Sequence, residues 1–435
     1  MTLEDNKKIS SQQRKLLNDF ERCSLRLGAY YLQVGGPTTR LEEKIWRLGQ
    51  AYHIEAEVFA TPSALIISAF DQKERFATTL RRIKESDIDL NALFKIDHLF
   101  EQLINKDITL KQGYKKVRTP EFLAPLYSNI LVLICSFAIG FLVSILEFSN
   151  FLAAFGSGIL SLILIMLIQP MMNVLSFTRI FFVFFGSLFC IVISAILSVN
   201  FKIPIESVFI GPLINMVPGL MLTTAVSELA EHNFVSGTVK MAQGLLVLLA
   251  IGTALFLGVD ALDTLGYSET QLNLRFAGAH TLGFSINLVA TFAIVTAFAI
   301  RFQTPAKYII FSSISGVLGW ATVYLLGTDQ NYVFPTFLSS LIVGLSSLTF
   351  ARMFKIPSQV FSVPGIISLV PGVLSASLYN YSDIGIEHGR NTLTTDTTIL
   401  KISLITASIV FGLITARFPY RIYRKITGDI QIPND

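Results

Sequence analysis

Ten apolar stretches follow one another between residues 123 and 416 of the chain. Each is close to the length of about 20 residues that a helix needs to cross the hydrocarbon core of a bilayer. The sequence therefore predicts an α-helical polytopic membrane protein with about ten transmembrane helices. The expected spans are 123–146, 151–169, 174–199, 205–227, 241–259, 277–300, 308–327, 333–351, 358–379 and 398–416.

Charge divides the chain at about residue 120. Residues 1–120 contain 20 Lys and Arg and 16 Asp and Glu, whereas the other 315 residues contain 14 of each group. The first part has the charge content of a water-soluble domain. The second part is too apolar to be soluble in water, so a single soluble enzyme is excluded. Because residues 1–11 are polar and lack the apolar core of a signal peptide, we expect a soluble cytoplasmic domain over 1–120.

Helical and strand patterns alternate within this first part. Apolar residues recur at helical spacing up to a Gly-Gly-Pro turn at 35–37, and helices are expected again over 38–52 and 91–117. Segments 55–60, 64–70 and 75–83 have the composition of strands. This order predicts a small α+β domain. Thr39 and Glu42 have the spacing of a capping box, in which each side chain binds a backbone N–H of the other residue.

The segment after the Gly-Gly-Pro turn has two interpretations. A helix N-terminus beside an arginine can bind an anion or another ligand through its free backbone N–H groups. The second interpretation is a plain turn and helix cap. The residues of the candidate regulatory loop are Thr38, Thr39 and Arg40.

Basic residues favour one orientation in the membrane. With the N-terminus inside, ten Lys and Arg lie in the cytoplasmic connections and tail, and four lie on the opposite side. Because cytoplasmic loops of membrane proteins are enriched in positive charge, we expect both termini in the cytoplasm and the protein in the plasma (inner) membrane.

The sequence also matches itself at an offset of 153 residues. Phe-Lys-Ile-Pro occurs at 201–204 and 354–357, and Val-Pro-Gly occurs at 217–219 and 370–372. The repeat unit is five spans long, and an odd number makes the second copy enter the membrane from the opposite side. We therefore expect an inverted 5+5 repeat, over 121–260 and 276–417, followed by a cytoplasmic tail over 418–435.

The two Val-Pro-Gly segments are expected to interrupt the fourth and ninth spans. Proline has no backbone N–H, so it leaves a backbone carbonyl of the preceding turn without its helical hydrogen bond. Such unpaired backbone groups are tolerated in a membrane only where they are buried in protein or lie beside water. One interpretation is a substrate site between the two breaks, and the other is a pair of packing kinks. The candidate substrate-binding residues are Asn215, Pro218, Gly219, Thr223, Ser368, Pro371, Gly372 and Ser375.

Glu228 lies at the expected cytoplasmic end of the fourth span. An acidic residue at this depth could carry a coupling proton, or it could simply be hydrated at the interface. No catalytic motif, nucleotide-binding loop or metal-ligand spacing occurs in the chain, so we expect no enzyme, no cofactor and no metal site.

Several segments resemble one family of exporters. They are Gly-Gly-Pro-Thr-Thr-Arg-Leu-Glu-Glu at 35–43, the strand segment at 60–70, Val-Pro-Gly-Leu at 217–220, Ser-Glu-Leu-Ala at 227–230, Val-Ser-Gly-Thr-Val-Lys at 235–240, and the C-terminal motifs at 354–357 and 364–372. Over about residues 15–416 the chain is similar to the two modules of the threonine/serine exporter family, fused in one chain. In some relatives, including bacterial succinate exporters, the modules look like separate subunits.

The resemblance implies proton-driven export of threonine and serine, or of a related small carboxylate such as succinate. The primary hypothesis is a secondary active transporter whose partners are that substrate, the proton and the lipid bilayer. Nucleic acid is not expected as a partner, and a homo-oligomer is compatible with the sequence. A membrane-anchored sensor or scaffold and a passive channel stay open as alternatives from other classes.

Overall fold

A computed structural model describes most of the chain. The described residues are 3–70, 76–83, 87–168, 179–230, 232–266, 283–327, 333–369, 404–405 and 407–419.

The N-terminal part combines helices with one small sheet. It contains α1 (Leu3–Gln33), α2 (Thr38–Tyr52), β1 (Glu55–Ala60), β2 (Ala64–Phe70), β3 (Phe76–Arg82), α3 (Leu90–Ile104) and α4 (Leu110–Val117). The strands are antiparallel in the order β1-β2-β3, with Ile67 of β2 opposite Val58 of β1 and Thr79 of β3. The predicted helices and strands of this α+β part are therefore confirmed.

The core of this part lies between the sheet and the helices. Strand β2 alternates, so that Leu65 and Ile67 are fully buried while their neighbours are half-buried, as expected for a sheet with one covered face. They belong to the same apolar cluster as Phe20 of α1, Leu41 of α2 and Phe100 of α3. This packing fixes the position of α2 and its N-terminus.

The predicted capping box at the start of α2 is wrong. The helix begins at Thr38, two residues earlier than a Thr39 cap requires, and Pro37 precedes it without a side-chain cap. The carboxylate of Glu42 instead accepts a hydrogen bond of 2.9 Å from the backbone N–H of Ala60. Glu42 therefore joins α2 to the end of β1, because the sheet packs closely enough to supply a better partner than the helix's own first turn.

Apolar helices make up the rest of the described structure. They are α5 (Asn129–Phe148), α6 (Phe151–Ile163, continued by a π-helical turn at Leu164–Ile168), α7 (Arg179–Phe201), α8 (Ile205–Ile214), α9 (Gly219–Ala230), α10 (Phe234–Thr264), α11 (Phe284–Arg301), α12 (Ala306–Leu326), α13 (Val333–Phe354), α14 (Gln359–Ile366) and α15 (Ala407–Pro419). Six of them, namely α5, α7, α10, α11, α12 and α13, are long and apolar enough to cross a membrane. The expected total of ten spans stays a prediction.

The two halves share the order of their helices. Helices α5 to α8 are followed, after α9 and α10, by α11 to α14, which lie at corresponding positions about 153 residues later. Lys202 and Lys355, which the self-match aligns, both have left-handed backbones with φ of 53° and 54°. Ser149 and Gln303 have φ of 50° and 59° in the preceding pair of connections. The sequence match at offset 153 thus extends to the backbone, and the inverted orientation of the halves stays a prediction.

The fourth expected span is interrupted, as predicted. Helix α8 ends at Ile214 and α9 begins at Gly219, so Val217 and Pro218 lie in the break between them. In the second half, α14 ends at Ile366 and continues as a 3-10 turn at Ile367–Leu369. Pro371, Gly372 and Ser375 lie outside the described residues, so the second break is not tested.

Small residues bring α8 close to its neighbours. A Cβ atom on Gly211 would clash with the Ser157 hydroxyl of α6 and would lie 2.6 Å from the Gly140 Cα of α5. Only glycine permits this approach of backbones. The helix before the break is therefore held tightly against α5 and α6.

Candidate functional site

Glu228 contacts the N-terminal part of the protein directly. Its Oε1 accepts a hydrogen bond of 3.2 Å from the Thr38 hydroxyl, and the Thr38 backbone N–H lies 3.5 Å from the same atom. Lys240 of α10 forms an ion pair with this oxygen at 2.6 Å. Thr38 is fully buried and Glu228 is only 3% exposed. A hydrated carboxylate at the surface, one of the two interpretations from sequence, is therefore wrong.

The connection between α9 and α10 strengthens this contact. The Asn233 side-chain amide donates a hydrogen bond of 2.6 Å to the Thr38 hydroxyl oxygen. The Ser236 hydroxyl donates to the backbone carbonyl of Ala60 at 3.2 Å. We call Thr38, Glu228, Asn233, Ser236 and Lys240 the docking cluster. It joins the start of α2 and the end of β1 to the first half of the apolar part.

A second carboxyl, that of Glu42, lies near the docking cluster and interacts with the Glu228 charge. The Glu228 Oε2 atom has no hydrogen-bond partner among the described residues, although it is buried. Burial raises the pKa of the Glu42 carboxyl, and the nearby Glu228 charge adds to this effect, while the hydrogen bond from Ala60 N–H opposes it. The Glu42 carboxyl therefore holds a proton more readily than an exposed one, because burial and the nearby Glu228 charge both disfavour its ionised form.

Further contacts join the N-terminal part to the second half. An Arg40 Nη1 donates to the Gln359 side-chain oxygen at the start of α14, at 3.0 Å. The backbone N–H of Leu90 donates to the carbonyl of Phe302, just after α11, at 2.8 Å. Two of the three residues of the predicted regulatory loop, Thr38 and Arg40, thus contact the apolar part. The choice between a ligand-binding loop and a plain turn with a helix cap stays a prediction.

A second polar centre lies at the break between α8 and α9. Arg301, the last residue of α11, donates a hydrogen bond from Nη1 to the Asn215 side-chain oxygen. The Asn215 amide in turn donates to the Gly211 carbonyl at 3.2 Å. Among the described residues, no carboxylate forms an ion pair with Arg301. The break therefore has a positively charged group beside it whose charge is not neutralised by direct contact.

Two further candidate site residues lie outside these two centres. Thr223 is buried in α9 between them, and Ser368 lies in the 3-10 turn after α14. Ten residues of helix separate Pro218 from Glu228, which corresponds to about 15 Å along the helix axis. The structure thus brings Glu228 to Thr38 and Arg301 to Asn215, and it separates the two pairs.

Sequence reasoning missed the roles of Arg301, Asn233 and Lys240. Arg301 entered it only as a positive charge that orients the helices, and Lys240 entered it as such a charge and as the last residue of the segment at 235–240. A usable signal was present at Lys240, which follows Glu228 by twelve residues across a short helix connection and can face it on an antiparallel neighbour. No comparable signal connects Arg301 with Asn215, because 86 residues separate them.

Family comparisons agree with the order of these elements. A family model described as "Putative threonine/serine exporter" matches residues 22–261. A second one, described as "Threonine/Serine exporter, ThrE", matches residues 287–418. No curated protein and no solved structure matches the chain. Since the first family model alone spans more than half of the 435 residues and the second covers most of the remainder, the chain belongs to the threonine/serine exporter family.

Proposed function

We propose that the protein is a secondary active transporter that exports threonine and serine across the plasma membrane in exchange for protons. Family membership supports the export function, and the apolar helices support a membrane location. In this proposal two inverted halves of five spans alternate between inward-open and outward-open states, with both termini in the cytoplasm. The matched left-handed residues Lys202 and Lys355 support the relation between the halves.

The substrate site in this proposal lies at the helix breaks. Arg301 beside Asn215 is the observation that carries it, because a guanidinium without a carboxylate partner in the described structure is suited to bind the carboxylate of an amino acid. The N-terminus of α9 adds free backbone N–H groups that favour the same charge. The hydroxyl of Thr223 and the second break would complete the site, through the candidate residues Ser368, Pro371, Gly372 and Ser375.

Proton coupling in this proposal uses Glu228. Its Oε1 is held by Lys240 and Thr38, and its Oε2 is buried without a partner in the described residues. A proton on this carboxyl would neutralise the charge that holds Lys240 and would weaken the hydrogen bond from Thr38. The N-terminal part would then loosen from the first half of the apolar part. Protonation is thereby linked to the movement of a cytoplasmic domain that gates the exporter.

The test uses the full-length protein in proteoliposomes. Radiolabelled threonine, serine and succinate are supplied separately, with and without an imposed pH gradient, and protein-free liposomes are the control. We expect saturable counterflow of threonine and serine and faster net transport with the gradient. Absence of counterflow with all three substrates would contradict the small-carboxylate exporter, and flux without saturation would indicate a passive channel.

A dicarboxylate such as succinate is the second candidate substrate. A guanidinium recognises any carboxylate, and no acidic residue that could bind an ammonium group contacts Asn215 or Arg301 within the described part of the chain. Competition decides between the two substrate classes. Succinate that displaces labelled threonine at lower concentration than serine does would favour the dicarboxylate exporter.

A further inference from the structure

Glu206 is an ionisable residue that the proposed mechanism does not use. It lies in the first turn of α8 and is fully buried. Neither of its carboxylate oxygens has a hydrogen-bond partner on another described residue. A buried, unpaired acid within an apolar helix bundle is costly, and such residues in membrane proteins usually have a functional role.

Few titratable residues lie on the elements that pack around Glu206. Helix α8 packs against α5, α6 and α7. The titratable residues described on these helices and on the preceding turn are Cys135, Glu147, Arg179, Cys190 and Lys202. None of them forms a recorded hydrogen bond or ion pair with Glu206 in the described part of the chain. Arg179 is at the far end of α7, about 30 Å away along the helix.

The hydroxyls near the first turn of α8 have other partners. The Ser144 hydroxyl of α5 donates to the carbonyl of Ser207, and the Ser207 hydroxyl donates to the carbonyl of Pro204 at 2.5 Å. Neither hydroxyl is therefore directed to the Glu206 carboxylate. Among the described residues no cation contacts the Glu206 carboxylate, and the one donor close to it is the backbone N–H of Glu206 itself, so burial favours the neutral protonated acid.

The interrupted span thus carries a buried carboxyl on each side of its break. Glu206 precedes Pro218 by twelve residues, and Glu228 follows it by ten. On the proposed topology, Glu228 lies towards the cytoplasm and Glu206 lies towards the opposite surface. Two carboxyls placed in this way offer one group near each side of the membrane for a coupling proton.

We propose that Glu206 is a second proton-binding site, which loads from the outer side of the membrane and complements Glu228. The reaction is a proton transfer alone: a hydronium ion converts the carboxylate to the acid in the outward-open state, and water or a relay group accepts the proton after the transition. The coupling role rests on the proposed exporter function, whereas proton binding at Glu206 does not.

The residue that corresponds to Glu206 in the second half of the chain is an amide, which suggests the substitution for the test. The self-match aligns Glu206 with Gln359, which also lies in the first turn of its helix, α14, and accepts a hydrogen bond from Arg40. An amide is therefore compatible with this position in the helix. Glu206→Gln changes one oxygen to nitrogen and removes the proton-binding group. The matched control is Glu147→Gln, at the end of the neighbouring helix α5.

The first measurement is independent of any substrate. Infrared difference spectra of the purified full-length protein are recorded in pH steps, and the C=O stretch of protonated carboxyl groups is followed. We expect Glu206→Gln to remove one band that the wild-type protein and Glu147→Gln retain. An unchanged set of bands in Glu206→Gln would overturn the proposal.

The second measurement uses proteoliposomes and labelled threonine, serine and succinate. We expect Glu206→Gln to retain counterflow. The increase in transport rate that a pH gradient produces should be at least about tenfold smaller in this variant than in the wild-type protein. An unchanged response to the gradient would overturn the coupling role. If the wild-type protein transports none of these compounds and the infrared band is still lost, the exporter proposal fails while proton binding at Glu206 is supported.

Discussion

The Thr38 hydroxyl donates a hydrogen bond of 3.2 Å to the Glu228 carboxylate, although 190 residues separate them in the chain. Thr38 begins a helix of the α+β part, and Glu228 lies near the end of a helix in the apolar part. Two features that appear unrelated in the sequence therefore belong to one buried contact. Its strength controls how firmly the N-terminal part is held.

Replacing the Thr38 hydroxyl should loosen this contact. In Thr38→Val the shape is retained, but Glu228 and Asn233 both lose a partner. A buried polar group without its partner costs about 1–3 kcal/mol, so we expect faster hydrogen exchange in α2 and a lower Tm. Thr38→Ser keeps the hydroxyl and is the control. Equal exchange rates in Thr38→Val and the wild-type protein would show that the contact is not needed for docking.

Removal of Lys240 should destabilise the protein more than removal of the whole ion pair. Lys240→Met leaves the Glu228 charge buried, and loss of one partner of a buried pair costs about 3 kcal/mol. The double variant Lys240→Met with Glu228→Gln should recover much of this loss. Unfolding of the two single variants and the double variant in detergent gives the coupling energy. Additive effects would mean that the two groups do not interact.

Loss of the guanidinium at the helix break should weaken substrate binding. Arg301→Gln removes the positive charge beside Asn215, and we expect the KM for threonine to rise by about tenfold or more, because charged hydrogen bonds contribute about 1.5–3 kcal/mol. Arg301→Lys should be intermediate, since it keeps the charge without the planar fork. Lys307→Gln, an exposed cation at the start of α12, is the control. A normal KM in Arg301→Gln would exclude the carboxylate site at this position.

The break itself should be needed for transport. Pro218→Ala restores a backbone donor and lets α8 and α9 join into one helix. We expect reduced threonine counterflow at normal expression, and the same for Pro371→Ala in the other half. Pro335→Ala, in the apolar helix α13, serves as the matched proline control. Normal transport by both break variants would identify the two prolines as packing kinks.

Glu42 should make stability depend on pH. Its pKa is raised in the folded protein above the ordinary value of 4.5, chiefly by burial. The folded state therefore binds more protons than the unfolded state, and stability falls as pH rises from 4.5 through the folded pKa. Glu42→Gln can still accept from the Ala60 N–H, so we expect it to remove this part of the slope and to be more stable than wild type at neutral pH. Denaturant unfolding at acidic and neutral pH measures the difference, and parallel curves for both proteins would contradict it.

The sequence predicted local structure well and side-chain partners poorly. Strands β1 to β3 and the break at Pro218 follow from composition and from proline chemistry, both of which act over a few residues. Glu42 was assigned to the wrong partner because the competing Ala60 N–H comes from a strand that only the tertiary fold brings near. The pairing of Arg301 with Asn215 was not predictable for the same reason.

The acidic residues show this difference most clearly. Glu228 was recognised because it stands near a motif and at the end of a span, yet its Thr38 partner lies in another part of the chain. Glu206 was overlooked because an acid just after a proline is typical of an ordinary helix N-terminus. Only its burial without a partner in the described structure distinguishes it from such a residue.

Helix α2 sets a limit on how far the two halves can separate at its surface. Thr38 contacts Glu228 in the first half and Arg40 contacts Gln359 in the second, while the two α2 residues are less than about 8 Å apart in the chain. A helix cannot stretch to follow its partners. Glu228 and Gln359 can therefore move apart only after α2 has released one of them, and whichever contact breaks first determines the half with which the N-terminal part travels.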